Sequence, residues 1–173
     1  AIILAAGLGK RLRPYTDVVP KCLVPLLGKS LLERQVLTLK SCGIDDILVV
    51  GGYKSNKITD LGYQTVINEN YEYTNMVWSL FEAKDYFNPE QDLIIGYGDI
   101  VYEKRVLDSL LDCTDEVGLV SDQSWLSYWR LRIANPLDDV ESFRVDKDGY
   151  VYELGKKPKN LEDIQAQFTG LFK

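Results

Sequence analysis

The 173-residue sequence contains no histidine. Histidine is the usual general base at neutral pH and a frequent metal ligand, so its absence excludes Ser-His and Cys-His nucleophile pairs and histidine-ligated metal sites.

Cysteine is also scarce, and Cys22, Cys42 and Cys113 show no paired spacing. This pattern favours reduced thiols in a cytoplasmic protein over disulfides or a zinc site. No apolar run approaches the roughly 18 residues that a membrane span needs. The net charge of −6 disfavours nucleic acids and anionic membranes as partners, because both attract basic surfaces.

Both ends of the sequence look cut, since it begins at Ala1 and ends in the apolar stretch "FTGLFK". We expect one domain over residues 1–173, incomplete at both ends and large enough for a substantial core.

Apolar runs alternate with amphipathic segments. Buried strands are predicted at Ile2–Ala5 and within "DDILVVGGY", "DLIIGYGD" and "EVGLV", with a weaker one in "YQTVINEN". Helices are predicted after the capping box Ser30–Glu33, within "NMVWSLFEAKDYF" and over residues 104–111. This order indicates an α/β fold with a largely parallel sheet covered on both faces. Near the end, "SFRVDKDGYVYELGKKP" predicts a hairpin around an Asp-Gly turn.

The segment after the first strand carries glycines and cations. Gly7, Arg11 and Lys21 follow that strand, at the sheet edge where α/β proteins collect ligands. Glycine lets backbone N–H groups approach a phosphate, and two cations can neutralise a triphosphate. The dinucleotide pattern is absent because position 12 is leucine, and the Walker pattern G-x-x-x-x-G-K-[ST] is absent as well. A surface loop with solvated charges is the alternative.

The longer string Gly7-x-Gly9-x-Arg11-x-x-Pro14-x-Thr16-x-x-x-Pro20-Lys21 resembles the signature of the nucleotidyltransferases that activate sugar 1-phosphates and related phosphomonoesters. The following "LVPLLGKSLLERQVLTLKSCGIDDILVVGGY" is similar to that family too, and a weaker resemblance extends to Lys173. The resemblance implies a Rossmann-like three-layer α/β/α sandwich with a mostly parallel mixed sheet, the glycosyltransferase-A-like nucleotidyltransferase fold. It also implies that an NTP is joined to a small phosphorylated molecule with release of pyrophosphate.

The resemblance assigns roles to the opening loop. Leu4, Ala5, Ala6 and Gly7 would form the base and ribose platform. Gly9 and Arg11 would hold the β- and γ-phosphates, and Lys21 would face the α-phosphate, which makes Arg11 and Lys21 the catalytic pair. The nucleophile in such a reaction is an anionic phosphate or phosphonate oxygen, so alignment and charge neutralisation suffice.

The resemblance also implies a magnesium site. Asp99 follows Gly98 at the end of an apolar strand, which is the metal-binding position of the family, and Gly98 would contact the nucleotide. Mg²⁺ prefers one or two carboxylates together with phosphate oxygens. The family's second carboxylate has no match before Lys173, and Asp122 is a weak stand-in. A strand-end aspartate without a metal is the alternative.

Two further stretches resemble the base and acceptor regions of these enzymes. Asn75 and Ser79 would read the base from one face of a helix, although Asn75 could instead be a helix cap. In "ELGKKP", Lys157 keeps the acceptor-phosphate position, but Lys156 replaces the glutamate that holds sugar hydroxyls. Glu153 and Trp129 are the candidates for an acceptor ammonium group, with an exposed strand glutamate and ordinary packing as alternatives.

The Lys156 departure disfavours a hexose 1-phosphate. The stretches "TNMVWSLF" and "IQAQFTGLFK" resemble instead the branch of cytidylyltransferases that act on phosphocholine and phosphonates. We therefore expect a Mg²⁺-dependent cytidylyltransferase that uses CTP and a small phosphorylated or phosphonate acceptor. Such an enzyme would serve cell-surface polysaccharide or phosphonate biosynthesis, and a homo-oligomer is one expected form of it. The alternatives are a sugar-1-phosphate uridylyl-, thymidylyl- or guanylyltransferase and a catalytically silent nucleotide-binding domain. A hydride-transfer enzyme is disfavoured by the missing third glycine.

Overall fold

The computed structural model describes all residues from Ala1 to Lys173. They group into two compact units, one made of Ala1–Gly118 with Gly170–Lys173 and the other of Leu119–Thr169. The single domain expected from the sequence stays a prediction. None of the helices is both long enough and apolar enough to cross a membrane.

Ten strands and five α-helices make up the regular structure. The strands are β1 (Ile2–Ala5), β2 (Pro25–Leu26), β3 (Lys29–Ser30), β4 (Leu48–Gly51), β5 (Thr65–Ile67), β6 (Ile95–Tyr97), β7 (Leu119–Asp122), β8 (Phe143–Val145), β9 (Val151–Leu154) and β10 (Gln167–Phe172). The helices are α1 (Leu31–Ser41), α2 (Asn56–Thr59), α3 (Met76–Glu82), α4 (Lys104–Leu111) and α5 (Trp125–Arg132).

The first unit is built on a mixed, mostly parallel sheet with the strand order β5-β4-β1-β6-β10. Strand β1 pairs in parallel with β4 and β6, and β4 pairs in parallel with β5. The last residues of β10 run antiparallel to β6. The predicted α/β fold with a largely parallel sheet is confirmed.

The two faces of the sheet bury different helices. Ile2 and Leu4 join a core cluster on one face that includes Ala83, directly after α3. Side chains alternate along a strand, so Ile3 points to the opposite face, where it is paired with Gly96. A side chain from α1 lies over Gly96, which places α1 on that second face.

Local signals set the helix ends. The Ser30 hydroxyl accepts a hydrogen bond from the Glu33 amide at 3.0 Å, as the predicted capping box requires. Helix α4 has the predicted bounds. Helix α3 is shorter than predicted, because the chain tightens into a 3-10 turn at Lys84–Tyr86. That turn shortly precedes Pro89, and the residue before a proline avoids helical angles.

The second unit contains β7 next to the beginning of β10, a short hairpin and α5. The predicted hairpin is confirmed, with β8 antiparallel to β9 around the Asp-Gly turn. Strand β7 begins at Leu119, three residues after the start of the predicted "EVGLV" strand. Trp125, Val140 and Ile164 form a small core in this unit.

Gly98→Ala should destabilise the protein, because the new Cβ would lie 2.9 Å from both the Leu4 carbonyl oxygen and the Ala5 Cβ. Backbone and a neighbouring strand cannot yield as a flexible side chain can, so we expect a loss of about 1–3 kcal/mol. Gly7→Ala is the matched control, since a Cβ there meets nothing within 4 Å. Thermal unfolding should show a lower Tm for Gly98→Ala alone. Equal Tm values for both variants would contradict this packing account.

Candidate active site

A cavity of about 490 Å³ opens at the carboxyl ends of β1 and β6. Its wall combines the residues after these strands with the loop after β1 and the start of α3. The lining residues are Leu4, Ala5, Ala6, Gly7, Gly9, Lys10, Arg11, Leu12, Lys21, Cys22, Tyr71, Thr74, Asn75, Met76, Ser79, Tyr97, Gly98 and Asp99. All of them belong to the first unit. Every nucleotide-site residue expected from the sequence lies in this wall.

The end of β1 forms one side of the cavity. Leu4, Ala5 and Ala6 are buried, whereas Gly7 is exposed. The position that a Gly7 side chain would occupy is open for 4 Å in every direction. A flat ligand can therefore approach the backbone here, as the predicted platform requires.

The glycine loop is held in a fixed shape by Thr16. Gly9 adopts a left-handed conformation, with φ of 61°. Its carbonyl oxygen accepts hydrogen bonds from the Leu12 amide and the Thr16 hydroxyl, both at 2.9 Å. A Cβ on Gly9 would meet the Thr16 methyl group at 2.9 Å and the Lys21 Cβ at 3.2 Å. Glycine is thus required by both the dihedral angle and the packing.

Thr16 is fully buried and ties the loop to the sheet. Its carbonyl oxygen accepts a hydrogen bond at 3.1 Å from the hydroxyl group of Tyr53, a residue that lies two positions after the end of β4. The 3-10 turn Lys10–Leu12 then carries Arg11 along the cavity wall. The sequence motif contained Thr16 without indicating this supporting role, which depends on a contact with a distant segment.

Lys21 and Asp99 meet across the cavity. Lys21 opens the 3-10 turn Lys21–Leu23, and its ammonium group donates a hydrogen bond to the Asp99 carboxylate. The two side chains are 33% and 36% exposed, so solvent and ligands can reach the pair. The structure thereby joins two predicted site residues that are 78 positions apart in the sequence.

The predicted base-reading residues lie together at the start of α3. Asn75 is the helix cap, because its Oδ1 accepts a hydrogen bond from the Trp78 amide at 3.0 Å. Ser79 is 5% exposed, and its hydroxyl donates to the Asn75 carbonyl oxygen at 3.3 Å. Both residues line the cavity. Asn75 is also a helix cap, which was the alternative to its predicted role in reading the base.

A buried asparagine organises this side of the cavity. Asn68 is fully buried, and its Nδ2 donates to the Thr74 and Ser79 hydroxyl groups at 2.8 and 2.9 Å. Its Oδ1 accepts from the Asn70 amide at 2.9 Å. The structure shows that Asn68 joins the end of β5 to α3 and so fixes the loop that carries Asn75.

Cys22 lies in the cavity wall next to Lys21, but it is only 2% exposed. Burial is the main cause that raises the pKa of its thiol to about 12, and the negative charge of Asp99 raises it further. The thiol therefore stays protonated at neutral pH and is no nucleophile there. All three cysteines are free, as expected.

Asp99 is the acidic residue of the cavity wall. The structure contains no group of three or more histidine, cysteine, aspartate or glutamate residues placed to hold a metal ion. One accessible carboxylate fits a cation that takes its other ligands from phosphate oxygens, because Mg²⁺ commonly binds in that way. Asp122, the weak stand-in for a second carboxylate, belongs to the second unit, where its carboxylate accepts a hydrogen bond from the Ser124 amide at 2.8 Å in the turn before α5.

The predicted acceptor residues belong to the second unit. The Lys157 ammonium group donates to the Leu137 carbonyl oxygen. Glu153 lies 2.8 Å from the Lys156 ammonium group, and this hydrogen bond holds the pKa of the Glu153 carboxyl below its ordinary value. Lys156 thus neutralises the carboxylate that was expected to serve an acceptor amine.

Trp129 is already packed against a cation. The Arg132 guanidinium lies 5.3 Å from the centre of its ring, and the Trp125 ring meets it edge to face at 6.1 Å. The indole N–H donates to the Asp139 carbonyl oxygen at 3.2 Å. These contacts are those of a packing residue, and an acceptor role for Trp129, Glu153 and Lys157 stays a prediction.

Comparison with known proteins agrees with this geometry. The family model of the MobA-like NTP transferase domain matches residues 1–132, which include the whole cavity wall. The chain belongs to the MobA-like NTP transferase family. It is therefore a nucleotidyltransferase domain, as the loop from Gly7 to Lys21 suggested.

Relatives of this NTP transferase domain include cytidylyltransferases. The chain is 43% identical to the CTP:phosphoglutamine cytidylyltransferase of Campylobacter jejuni, over 100% of this chain and 72% of that protein. It is 44% identical to the choline-phosphate cytidylyltransferase of Streptococcus pneumoniae over 89 residues, which cover 49% of this chain and 39% of that protein. The NTP transferase domain thus spans part of the length of each relative.

Solved structures share the fold of this NTP transferase domain at low sequence identity. The inositol-1-phosphate CTP transferase of T. maritima superposes with a TM-score of 0.74 and 22% identity, over 99% of this chain and 68% of that chain. The CTP:phosphocholine cytidylyltransferase of Streptococcus pneumoniae gives a TM-score of 0.68 and 23% identity over the same shares. The predicted nucleotidyltransferase fold is confirmed.

The buried Cys22 thiol should resist alkylation in the folded protein. Its pKa lies near 12, so it remains a neutral thiol at pH 8, whereas Cys42 and Cys113 are partly exposed. A thiol-reactive chromophore at pH 8 should label two cysteines quickly in the native protein and three after denaturation. The Cys22→Ala variant should give two in both states. Three fast thiols in the native protein would contradict the burial of Cys22.

Proposed function

We propose that this domain transfers CMP from CTP to a small phosphorylated acceptor and releases pyrophosphate. One observation carries the proposal: the glycine loop, Arg11, Lys21 and Asp99 all reach a single cavity of about 490 Å³ at the carboxyl edge of the sheet. That volume lies within the range of small-molecule sites. The backbone platform, the two cations and the carboxylate match the parts of a nucleoside triphosphate.

The cations of the wall would hold the triphosphate. Leu4 to Gly7 would contact the base and ribose, and Gly9 with Arg11 would hold the β- and γ-phosphates. Lys21 would exchange the Asp99 carboxylate for oxygens of the α-phosphate when the nucleotide enters. The charge developing on those oxygens would then be stabilised by an ammonium group already fixed in place.

Asp99 would hold a divalent cation, Mg²⁺ in our proposal, together with phosphate oxygens. When bound, the cation would neutralise phosphate charge and orient the triphosphate. Asp99 is accessible, lines the cavity and forms an ion pair with Lys21, which supports this role.

The proposed reaction requires no general base. An oxygen of the acceptor phosphate attacks the α-phosphorus of CTP, and the bond between that phosphorus and the bridging oxygen of the β-phosphate breaks. The electron pair of the broken bond leaves with pyrophosphate. Because the attacking oxygen is already anionic near pH 7, no proton must be removed, which agrees with a chain that lacks histidine.

The relatives support cytosine as the base. Both sequence relatives described above are cytidylyltransferases by name, and the stronger match covers the whole chain. Asn75 and Ser79 would read the base, since they lie in the cavity wall on the first turn of α3. The amide Nδ2 of Asn75 is not used in the helix cap, which engages Oδ1.

The relatives also support a non-sugar acceptor. The Campylobacter jejuni protein is named for phosphoglutamine, and the match to it covers twice as much of this chain as the match to the choline-phosphate enzyme. We therefore favour a phosphorylated amino-acid derivative over phosphocholine. Lys157 would hold the acceptor phosphate, and Glu153 and Trp129 would lie near its amine.

Pyrophosphate release should identify both substrates. The protein is incubated with Mg²⁺ and with ATP, CTP, GTP, UTP or dTTP. Each nucleotide is combined in turn with phosphoglutamine, phosphocholine, aminoethylphosphonate or glucose 1-phosphate. We expect the fastest release with CTP and phosphoglutamine. Preference for UTP, dTTP or GTP with glucose 1-phosphate would instead establish a sugar nucleotidyltransferase. NTP binding without any release would establish a silent nucleotide-binding domain.

Lys21→Ala should lower kcat by about 10²–10³-fold, the loss typical when one preorganised donor to a transition-state oxyanion is removed. The matched control is Lys29→Ala, because Lys29 also forms an ion pair, with Glu33 at 3.0 Å, but does not line the cavity. The control should retain wild-type kcat. Steady-state pyrophosphate release measures both variants, and near-native turnover of Lys21→Ala would overturn its assigned role.

A further inference from the structure

A buried amide lies behind the cavity wall that carries Asp99. Gln35 is on α1 and is 1% exposed. Its Nε2 donates a hydrogen bond to the Tyr97 carbonyl oxygen at 3.1 Å, across 62 positions of sequence. Because a carbonyl oxygen can only accept a hydrogen bond, the Nε2 end of the Gln35 amide, which carries the donors, must face the Tyr97 oxygen.

That carbonyl oxygen is the first group of the turn that presents Asp99. The Ile100 amide donates to the same Tyr97 oxygen at 3.4 Å, which closes a turn with Gly98 and Asp99 at its centre. The 3.4 Å contact is long for a backbone hydrogen bond. Gln35 therefore supplies the shorter of the two hydrogen bonds to the Tyr97 carbonyl oxygen.

The same turn is fixed to β1 by the backbone. The Gly98 amide donates to the Leu4 carbonyl oxygen at 2.8 Å. One contact from β1 and one from α1 thus hold the two polar groups of the single peptide unit between Tyr97 and Gly98, directly before Asp99. Of these, only the α1 contact is made by a side chain and can be removed by substitution without changing the backbone.

The other end of the Gln35 amide has no partner. Its Oε1 is buried and makes no hydrogen bond, and a Cβ on Gly96 would come within 3.1 Å of it. An unsatisfied buried carbonyl oxygen lowers stability, so an apolar side chain of similar size would suit the core better. Gln35 therefore contributes little to stability that leucine would not, apart from its hydrogen bond to the Asp99 turn.

Helix α1 also packs against the turn Lys21–Leu23. The same helix thus lies behind both charged residues of the cavity, and Gln35 is its hydrogen-bonded contact to one of them. We propose that Gln35 is a positioning residue, which fixes the Asp99 turn so that the carboxylate binds the cation of the incoming nucleotide. This rests on the proposed function, because it requires Asp99 to be the ligand of that cation.

The test is the gain in CTP affinity that Mn²⁺ provides. Calorimetry with CTP and no acceptor gives this gain as the ratio of dissociation constants measured with EDTA and with excess Mn²⁺. Gln35→Leu should reduce the gain by about 10-fold, the lower end of the effect seen when a partner of a metal ligand is removed. The affinity measured with EDTA should stay unchanged, and Tm should stay equal or rise.

Gln167→Leu is the matched control. Gln167 is also buried, but its Nε2 donates to the Glu141 carbonyl oxygen at 2.8 Å and its Oε1 accepts from the Glu141 amide at 3.5 Å. Both ends of this amide are satisfied, and its partner Glu141 belongs to the second unit rather than to the unit that contains Asp99. The control should therefore lower Tm and leave the Mn²⁺-dependent gain intact.

Gln35→Met provides a second variant of similar length without a donor, in case Gln35→Leu does not fold. If the wild-type gain is intact in whichever of these variants folds, Gln35 is a core residue and the proposal is overturned, while the proposed function stands. A wild-type protein with no Mn²⁺-dependent gain would instead overturn the metal role of Asp99, and the positioning role with it.

Discussion

The ion pair between Lys21 and Asp99 joins the two parts of the chain on which the cavity depends. One partner ends the long glycine loop after β1, and the other follows β6, the strand beside β1 in the sheet. Both groups remain about one third exposed, so water screens their attraction and a cation or a phosphate can replace either partner. A pair with this exposure contributes little to stability. Its significance is that it holds two opposite charges at the place where a triphosphate and its cation would separate them.

Other residues of the cavity wall and behind it fix the positions of these two charges. Thr16 fixes the shape of the glycine loop through the Gly9 carbonyl oxygen, and the contact between Tyr53 and Thr16 joins the loop to the sheet. On the other side, the absence of a side chain at Gly98 lets the Asp99 turn lie directly against β1. Rigid support of this kind is what electrostatic catalysis requires, because donors and charges that are already oriented need no rearrangement during the reaction.

The sequence predicted the fold and the cavity residues well where the signals were local. The string from Gly7 to Lys21 is continuous, and Asp99 directly follows a buried strand, so parallel strand order was enough to bring them to one edge. The supporting roles of Thr16, Asn68 and Gln35 were missed because each depends on a partner that is close only after folding. The acceptor residues stay predictions, since they lie in the second unit, where Lys156, Leu137 and Arg132 already occupy their polar and aromatic groups.

The most direct measurement is a crystal structure of the protein with CTP and Mn²⁺, with the metal located by its anomalous scattering. We expect an Mn²⁺ peak at the Asp99 carboxylate, with the Lys21 ammonium group moved from Asp99 to within hydrogen-bond distance of an α-phosphate oxygen. A bound nucleotide that leaves Lys21 paired with Asp99, with its triphosphate and the metal elsewhere, would contradict this expectation.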